Sequence, residues 1–233
     1  MNIALLGYGR MGKSIEIIAL ERNHSISLKV SDESSDYDFS NTDVAIDFSI
    51  PIVAVTNIKK ALDAGVPVIS GTTGWLDQYD EIIDYCNSKN GTFLYASNFS
   101  LGVNIFFEIN QRLSQLMATV EGYDTEIEEI HHTQKLDTPS GTAITLAEHI
   151  IKSTKYKNWT LDEPKSNEIH IDAKRIENVP GTHKITYNSE IDSISIKHTA
   201  HSRQGFAMGA VIAAEWIKDK KGVFSMKDVL NIG

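Results

Sequence analysis

The chain opens on a short apolar run, Asn2-Ile3-Ala4-Leu5-Leu6, that passes directly into Gly7-Tyr8-Gly9-Arg10-Met11-Gly12. The next residues, Ser14-Ile15-Glu16-Ile17-Ile18-Ala19-Leu20, place their apolar side chains at helical spacing. Strand, G-x-G-x-x-G and helix in that order constrain the fold more than any other feature. The first glycine permits a tight turn, the second lets backbone approach a pyrophosphate, and the third lets the helix pack close to the strand. The start of the helix then offers N–H groups to phosphates. A plain glycine turn also matches the motif by itself; its place after a strand and before a helix favours a dinucleotide.

The alternation continues. Ser25-Ile26-Ser27-Leu28-Lys29-Val30 and Val44-Ala45-Ile46-Asp47-Phe48-Ser49 read as strands, and Pro51 opens a helix that reaches Ala64 and stops at Gly65. Pro67-Val68-Ile69-Ser70 is a strand ending in Gly71-Thr72-Thr73-Gly74. A helix from about Trp75 to Ser88 and a strand Thr92 to Ala96 follow. Such alternation predicts an α/β, Rossmann-like, doubly wound parallel sheet, whose ligands lie beyond the carboxyl ends of its strands. That edge gathers the glycine loop, Phe48, Ser49, Gly71, Thr72, Thr73, Ala96, Ser97, Asn98 and Phe99 as candidate dinucleotide contacts. Ser31-Asp32 ends the second strand about 20 residues past the last glycine, where an acid binds ribose hydroxyls. Asp32 suits NADH by charge, and no arginine follows to receive a 2′-phosphate; an ordinary acidic loop residue fits the position equally well.

After Asn98 the rhythm changes. An amphipathic segment from Ser100 to about Val120 leads into an alternating strand, Asp124 to Ile130, and a helix from Thr142 to about Ser153. Strands at roughly Ile169 to Ile176, His183 to Tyr187 and Ser193 to His198 predict an α+β region with a mainly antiparallel or mixed, open-faced sheet. The final helix, Phe206 to Lys218, is rich in Ala and Gly, which suits a return to the first domain. The expected boundaries are 1–102, completed by 204–233, for the dinucleotide-binding domain, and 103–203 for a second, substrate-binding domain.

Over 233 residues, 41% hydrophobic and 23% charged content is ordinary for a globular protein. The net charge of −9 is spread, with no basic stripe, which argues against nucleic acid as a partner. No apolar run approaches the roughly 20 residues needed to span a bilayer. The N-terminus lacks a basic leader and a cleavage site, so the chain reads as cytoplasmic with no membrane partner. The single cysteine, Cys86, excludes disulfides within the chain and reads as a partly buried structural thiol.

The densest cluster of reactive side chains is Glu129-Ile130-His131-His132-Thr133-Gln134-Lys135-Leu136-Asp137-Thr138-Pro139-Ser140-Gly141-Thr142-Ala143. At a strand end the two histidines diverge, and neither H-E-x-x-H nor Cys/His spacing is present, so no metal is expected. Each histidine alone also fits a structural residue, and Lys135 alone a solvated one. Pro139-Ser140-Gly141-Thr142 at a helix start makes an anion pocket through capping and exposed N–H groups. Beside a nicotinamide-type fold, the cluster points to hydride transfer onto an anionic substrate, with His or Lys giving the proton.

The same stretch closely resembles the E-x-H-H-x-x-K-x-D-x-P-S-G-T-A motif of the dihydrodipicolinate reductase family. The resemblance runs along the whole chain, through Gly9-Arg10-Met11-Gly12, Ile46-Asp47-Phe48-Ser49, Gly71-Thr72-Thr73-Gly74, Asn98 to Asn104, Gly181-Thr182-His183 and His201-Ser202-Arg203. It implies reduction of 4-hydroxy-tetrahydrodipicolinate, a cyclic dicarboxylate, with NADH or NADPH in diaminopimelate and lysine biosynthesis. By this resemblance His131 is the general acid/base and Lys135 a second proton donor. His132, Ser140, Gly141 and Thr142 hold substrate carboxylates, and Arg203 sits at the interdomain hinge of the substrate site. Met11 with the rest of Gly7 to Gly12, Gly71 to Thr73 and Ala96 to Phe99 match the family's cofactor contacts. A homotetramer built through the second domain's sheet, and closure over the cofactor, are also implied. The chain departs from the family in a glycine turn shorter by one residue, in Ser31-Asp32 where an acidic-basic pair is common, and in a trimmed segment from Asp32 to Asp43. Two rival readings are another two-domain nicotinamide oxidoreductase, such as an aspartate-type dehydrogenase, and a non-catalytic dinucleotide sensor.

Overall fold

The computed structural model describes residues 1–31, 37–202 and 204–232. In chain order the elements are β1 (Asn2–Leu6), α1 (Arg10–Glu21), β2 (Ser25–Val30), β3 (Val44–Asp47), α2 (Pro51–Asp63), β4 (Val68–Ser70), α3 (Tyr79–Ser88) and β5 (Thr92–Tyr95). There follow α4 (Leu101–Met117), β6 (Asp124–His131), α5 (Gly141–Ser153), β7 (Asn158–Thr160), β8 (Glu168–Arg175), β9 (Gly181–Asn188) and β10 (Ser193–Ala200). The last elements are α6 (Gln204–Ile217), β11 (Gly222–Phe224) and α7 (Met226–Leu230). The chain forms two compact units, Met1–Leu101 with Gln204–Gly233, and Gly102–Arg203.

The first unit carries a six-stranded sheet in the order β11-β5-β4-β3-β1-β2, parallel throughout. Successive strand residues face opposite sides, so buried runs such as Ile3-Ala4-Leu5-Leu6 feed two cores at once. Ile3, Leu5 and Ile46 pack with Ile15 and Ile18 of α1 and with the small residues of α6. Ala4, Leu6 and Ala45 pack with Ala54 and Ile58 of α2 and with Ile82 and Cys86 of α3. Each fully buried Ile contributes roughly 1.5–3 kcal/mol. Glycine is required in α6, because a Cβ at Gly209 would lie 1.7 Å from the Phe99 carbonyl oxygen. Cys86 is fully buried, and burial pushes its thiol pKa up.

Sequence periodicity overlooked three elements. It took Phe206–Lys218 as the last helix, whereas the chain continues through β11, which pairs with β5 at the sheet edge, and α7. It also missed β7. Strands of three residues are too short to show a period, and only their sheet partners fix them. The helix expected from about Trp75 begins as a 3-10 turn at Leu76–Gln78, because the buried Trp75 donates its Nε1–H to the Thr72 carbonyl at 2.7 Å.

The second unit holds a mixed sheet in the order β10-β9-β6-β8-β7. β6 pairs antiparallel with β9 and parallel with β8. Ile127, Ile169, Ile171 and Ile185 face Phe106 of α4 and Leu146, Ala147 and Ile150 of α5. Alternation places Glu126, Glu128, Asp172 and Lys174 on the other face, where Lys174 pairs with both Glu128 and Asp172. No helix among the described residues is long and apolar enough to cross a membrane.

Candidate active site

In the first unit the carboxyl ends of β1 and β3 meet around the glycine loop. Gly7 adopts φ +98°, and a Cβ there would lie 2.2 Å from the Phe48 carbonyl oxygen; one at Gly12 would lie 2.3 Å from the Gly7 oxygen. A Cβ at Gly9, in contrast, would meet nothing within 4 Å. Gly9 caps α1 with no side chain, so the first N–H groups of the helix face open space. This is the cradle that a pyrophosphate needs. A cleft of about 440 Å³ extends from it, lined by Gly7, Tyr8, Gly9, Ser31, Phe48 and Ser49, and further along by Tyr37 and one face of α2.

A buried carboxylate fixes the loops around that cleft. Asp47, fully buried at the end of β3, accepts hydrogen bonds from Ser49 Oγ (2.6 Å), Ser70 Oγ (2.8 Å), Thr72 Oγ1 (2.8 Å) and Asn57 Nδ2 (3.2 Å). Thr72 Oγ1 in turn accepts from the Ser49 N–H at 2.9 Å, and Tyr37 donates to Asn57 Oδ1 at 2.6 Å. Burial raises the Asp47 pKa, and the four neutral donors oppose it only in part. Thr72 and Phe99 are themselves buried, so their side chains brace the loops, with the Phe99 ring 5.6 Å from that of Phe48. Arg10 is exposed and Met11 packs against the core. Gly71 to Thr73 and Ala96 to Phe99 follow β4 and β5 on the same sheet edge, outside the cleft lining.

In the second unit, register builds a buried polar network. β6 alternates inward through Thr125, Ile127, Glu129 and His131; Glu129 lies opposite His183 on β9, and His131 opposite Arg175 on β8. Glu129, with no exposure, accepts from the Ser140 N–H at 3.1–3.2 Å and from Arg175 Nη2 at 3.1 Å. His131 Nδ1 lies 3.4 Å from Glu129 Oε2, and the His131 and His183 ring centroids are 5.0 Å apart. Ser140 Oγ accepts from the Ala143 N–H at 3.2 Å, capping α5, and sits 3.1 Å from His183 Nε2. Arg175 also donates to the Asp137 carbonyl (2.7 Å) and Thr138 Oγ1 (2.8 Å), holding the approach to the cis Thr138–Pro139 peptide.

The electrostatics follow from these contacts. Burial would raise the Glu129 pKa, but the His183 imidazole 3.7 Å away, the hydrogen bond from Ser140 and the charge of His131 outweigh it and hold the carboxyl at about 2. Burial, aided by the charges of His183, Lys135 and Arg175 and opposed by Glu129, lowers His131 to about 4. Glu129, His131 and His183 each bring a ligand atom within 4.8 Å of the others, yet Arg175 and the Ser140 N–H already occupy the Glu129 oxygens. That donor set fits a hydrogen-bonded charge network better than a cation site.

The structure therefore gathers His131 and Ser140, with Gly141 and Thr142 in the first turn of α5. His132 instead lines a separate cleft of about 260 Å³ with Thr133, Gln134 and residues 177–180. Lys135 Nζ binds both oxygens of Asp137 at 2.7–2.8 Å. Asp32 and Arg203 lie outside the described residues. Sequence reasoning missed Asp47, Glu129, Arg175 and His183 as site members. Glu129, two residues after Ile127 on the inward side of an alternating strand, was a readable signal; Arg175 and His183 had no local one.

A family model described as dihydrodipicolinate reductase, N-terminus, matches residues 1–99, and its C-terminus counterpart matches residues 102–230. The 4-hydroxy-tetrahydrodipicolinate reductase of Christiangramia forsetii is 58% identical over 99% of this chain and 98% of its own length. That of Methanococcoides burtonii is 38% identical over 94% and 85%. A solved dipicolinate-bound dihydrodipicolinate reductase from Paenisporosarcina sp. TG-14 shares the fold, with a TM-score of 0.76 at 20% identity over 97% of each chain. With both halves matched in order and a relative that shares more than half of its residues from end to end, this chain belongs to the dihydrodipicolinate reductase family.

Proposed function

We propose that this chain reduces 4-hydroxy-tetrahydrodipicolinate to tetrahydrodipicolinate with NADH or NADPH, a step of diaminopimelate and lysine biosynthesis in which the hydroxyl leaves as water and the resulting conjugated imine takes one hydride and one proton. The observation that carries the reading is the buried Glu129–His131–His183–Ser140 network beside the open first turn of α5. It joins a titratable imidazole to an anion-binding helix start. Family membership sets aside the aspartate-type dehydrogenase.

The nicotinamide supplies the hydride when bound, held through its pyrophosphate by the glycine loop and the start of α1. The chain's own residues manage charge and proton. With its pKa near 4, His131 is neutral at pH 7 in the ligand-free protein. A dicarboxylate beside it favours the imidazolium, because an opposite charge within about 4–6 Å raises a histidine pKa by one or more units. Substrate binding thus converts His131 into an acid, and Lys135 is the second donor. The Gly141 and Thr142 N–H groups, which α5 leaves without intrahelical partners, take one carboxylate, with His132 as a further contact. Asp137, which binds Lys135 in the free protein, yields it to the substrate. Arg203 keeps the role given by resemblance, and Asp32 the ribose contact given by its place in the sequence after β2. The enzyme is cytoplasmic and homotetrameric through the polar face of the second sheet.

The test is oxidation of NADH and, separately, NADPH by purified protein, with substrate generated in place from pyruvate and aspartate semialdehyde by its synthase. Synthase-dependent oxidation that dipicolinate inhibits is the expected result. Folded protein that binds a dinucleotide without turnover would instead be a sensor.

A further inference from the structure

Among the described residues, thirteen line the glycine-loop cleft, and of these Lys60 is the single cation. Val53, Thr56, Asn57 and Lys60 reach the cleft from one face of α2, at spacings of three and four residues. Lys60 Nζ stands 4.3 Å from the centroid of the Tyr37 ring, a cation–π distance that keeps the ammonium at the cleft wall. The ring is itself fixed, since the Tyr37 hydroxyl donates to Asn57, which donates to the buried Asp47. Neighbouring lysines are engaged elsewhere: Lys59 pairs with Glu81 at 2.5 Å, Lys29 with Glu16 at 2.6 Å and Lys89 with Asp63 at 2.6 Å. No described carboxylate forms an ion pair with Lys60.

In a sheet of this kind the dinucleotide runs from the glycine loop toward the end of the second strand, which places the adenosine ribose near Val30 and Ser31. Val30, Ile50 and Val53 give that end of the cleft an apolar wall suited to a purine, and Ser31, Tyr37 and Lys60 line it as well. We propose that Lys60 is the residue that admits NADPH: its ammonium, steadied on Tyr37, takes the 2′-phosphate of the adenosine. The loop after β2, where a 2′-phosphate is usually met, supplies no arginine, so the cation comes from the third turn of α2 instead. NADH needs no such partner, and the same cleft accepts it without Lys60. This inference rests on the reading of the cleft as the NAD(P)H site.

The experiment is calorimetric titration of NADPH, NADH and adenosine 2′,5′-bisphosphate into the full chain, with no substrate present, for the wild type, Lys60→Met and Lys60→Arg. Lys60 is exposed, and NADH binding reports that each variant is folded. In Lys60→Met the affinities for NADPH and the bisphosphate are expected to fall about tenfold or more, the loss typical of a hydrogen bond to a charged group. NADH affinity stays within about twofold. Lys60→Arg retains NADPH binding, because the charge is kept. Equal losses for NADPH and NADH in Lys60→Met, or no loss of NADPH, overturn the role of Lys60 and leave the cofactor site standing. A wild type that binds neither dinucleotide overturns this inference and the functional reading together.

Discussion

Asp47 in the first unit and Glu129 in the second are both fully buried carboxylates, each at or near the end of a strand that leads into a loop of a candidate site. Their environments shift them in opposite directions: Asp47 upward, Glu129 down to about 2. Burial is the largest influence on each, so depth does not explain the difference. The donors do. Asp47 is met by three hydroxyls and an amide, all neutral, and the hydroxyls can turn to accept as well as donate. Glu129 is met by the Arg175 guanidinium and the Ser140 N–H, which can only donate, and by the imidazoles of His131 and His183. The first carboxylate is a latch among loops, and the second is a fixed negative charge that balances Arg175 and steadies His131.

Neutralising each carboxylate in place tests this contrast most sharply. Glu129→Gln leaves Arg175 and Ser140 facing an amide that must itself donate, and is expected to cost about 3 kcal/mol. Urea unfolding reads the total, and hydrogen exchange at β6 and β8 should show that the loss is confined to the second unit. A cost as small as that of Asp47→Asn would erase the distinction. His131→Gln should lower turnover about 100-fold, as loss of a general acid does, with NADH and NADPH dissociation constants unchanged. Unchanged turnover would remove His131 from the chemistry.

Acidification probes the same network without mutation. His131 has a folded pKa near 4, below its ordinary 6.5, so between those values the unfolded chain binds a proton that the folded unit does not. Stability therefore falls as pH drops through that window, by on the order of 3 kcal/mol. The Glu129 contribution is complete above its ordinary 4.5 and is lost as pH falls toward 2. Urea midpoints measured across the window should decline in the wild type and stay flatter in His131→Gln. The smallest effect is expected for Asp47→Asn, at less than about 1 kcal/mol, since Ser70 and Thr72 can rotate to accept from the new amide. A large cost there would mean that the latch depends on charge after all.

Much of the fold was legible because its signals are local. The glycine loop, the Pro51 start and Gly65 stop of α2, and the Ser140 cap of α5 each occupy a few adjacent residues whose backbone preferences suffice. The alternation of strands and helices then leaves few alternatives to a parallel sheet. The three-residue strands β7 and β11 carried no period of their own and appeared only when longer neighbours supplied their hydrogen bonds.

The candidate site divides along the same line. The sequence by itself determined that His131, Lys135 and the Pro139-Ser140-Gly141-Thr142 turn would stand close together, since fewer than a dozen residues connect them. Only the tertiary structure decided which groups control them. Glu129 meets His183, and His131 meets Arg175, through the register of β6 between β9 and β8; a slip of one residue would turn these side chains to the opposite face. Register is fixed by how Ile127, Ile169, Ile171 and Ile185 bury together beneath α4 and α5, a property of the assembled sheet rather than of any one segment.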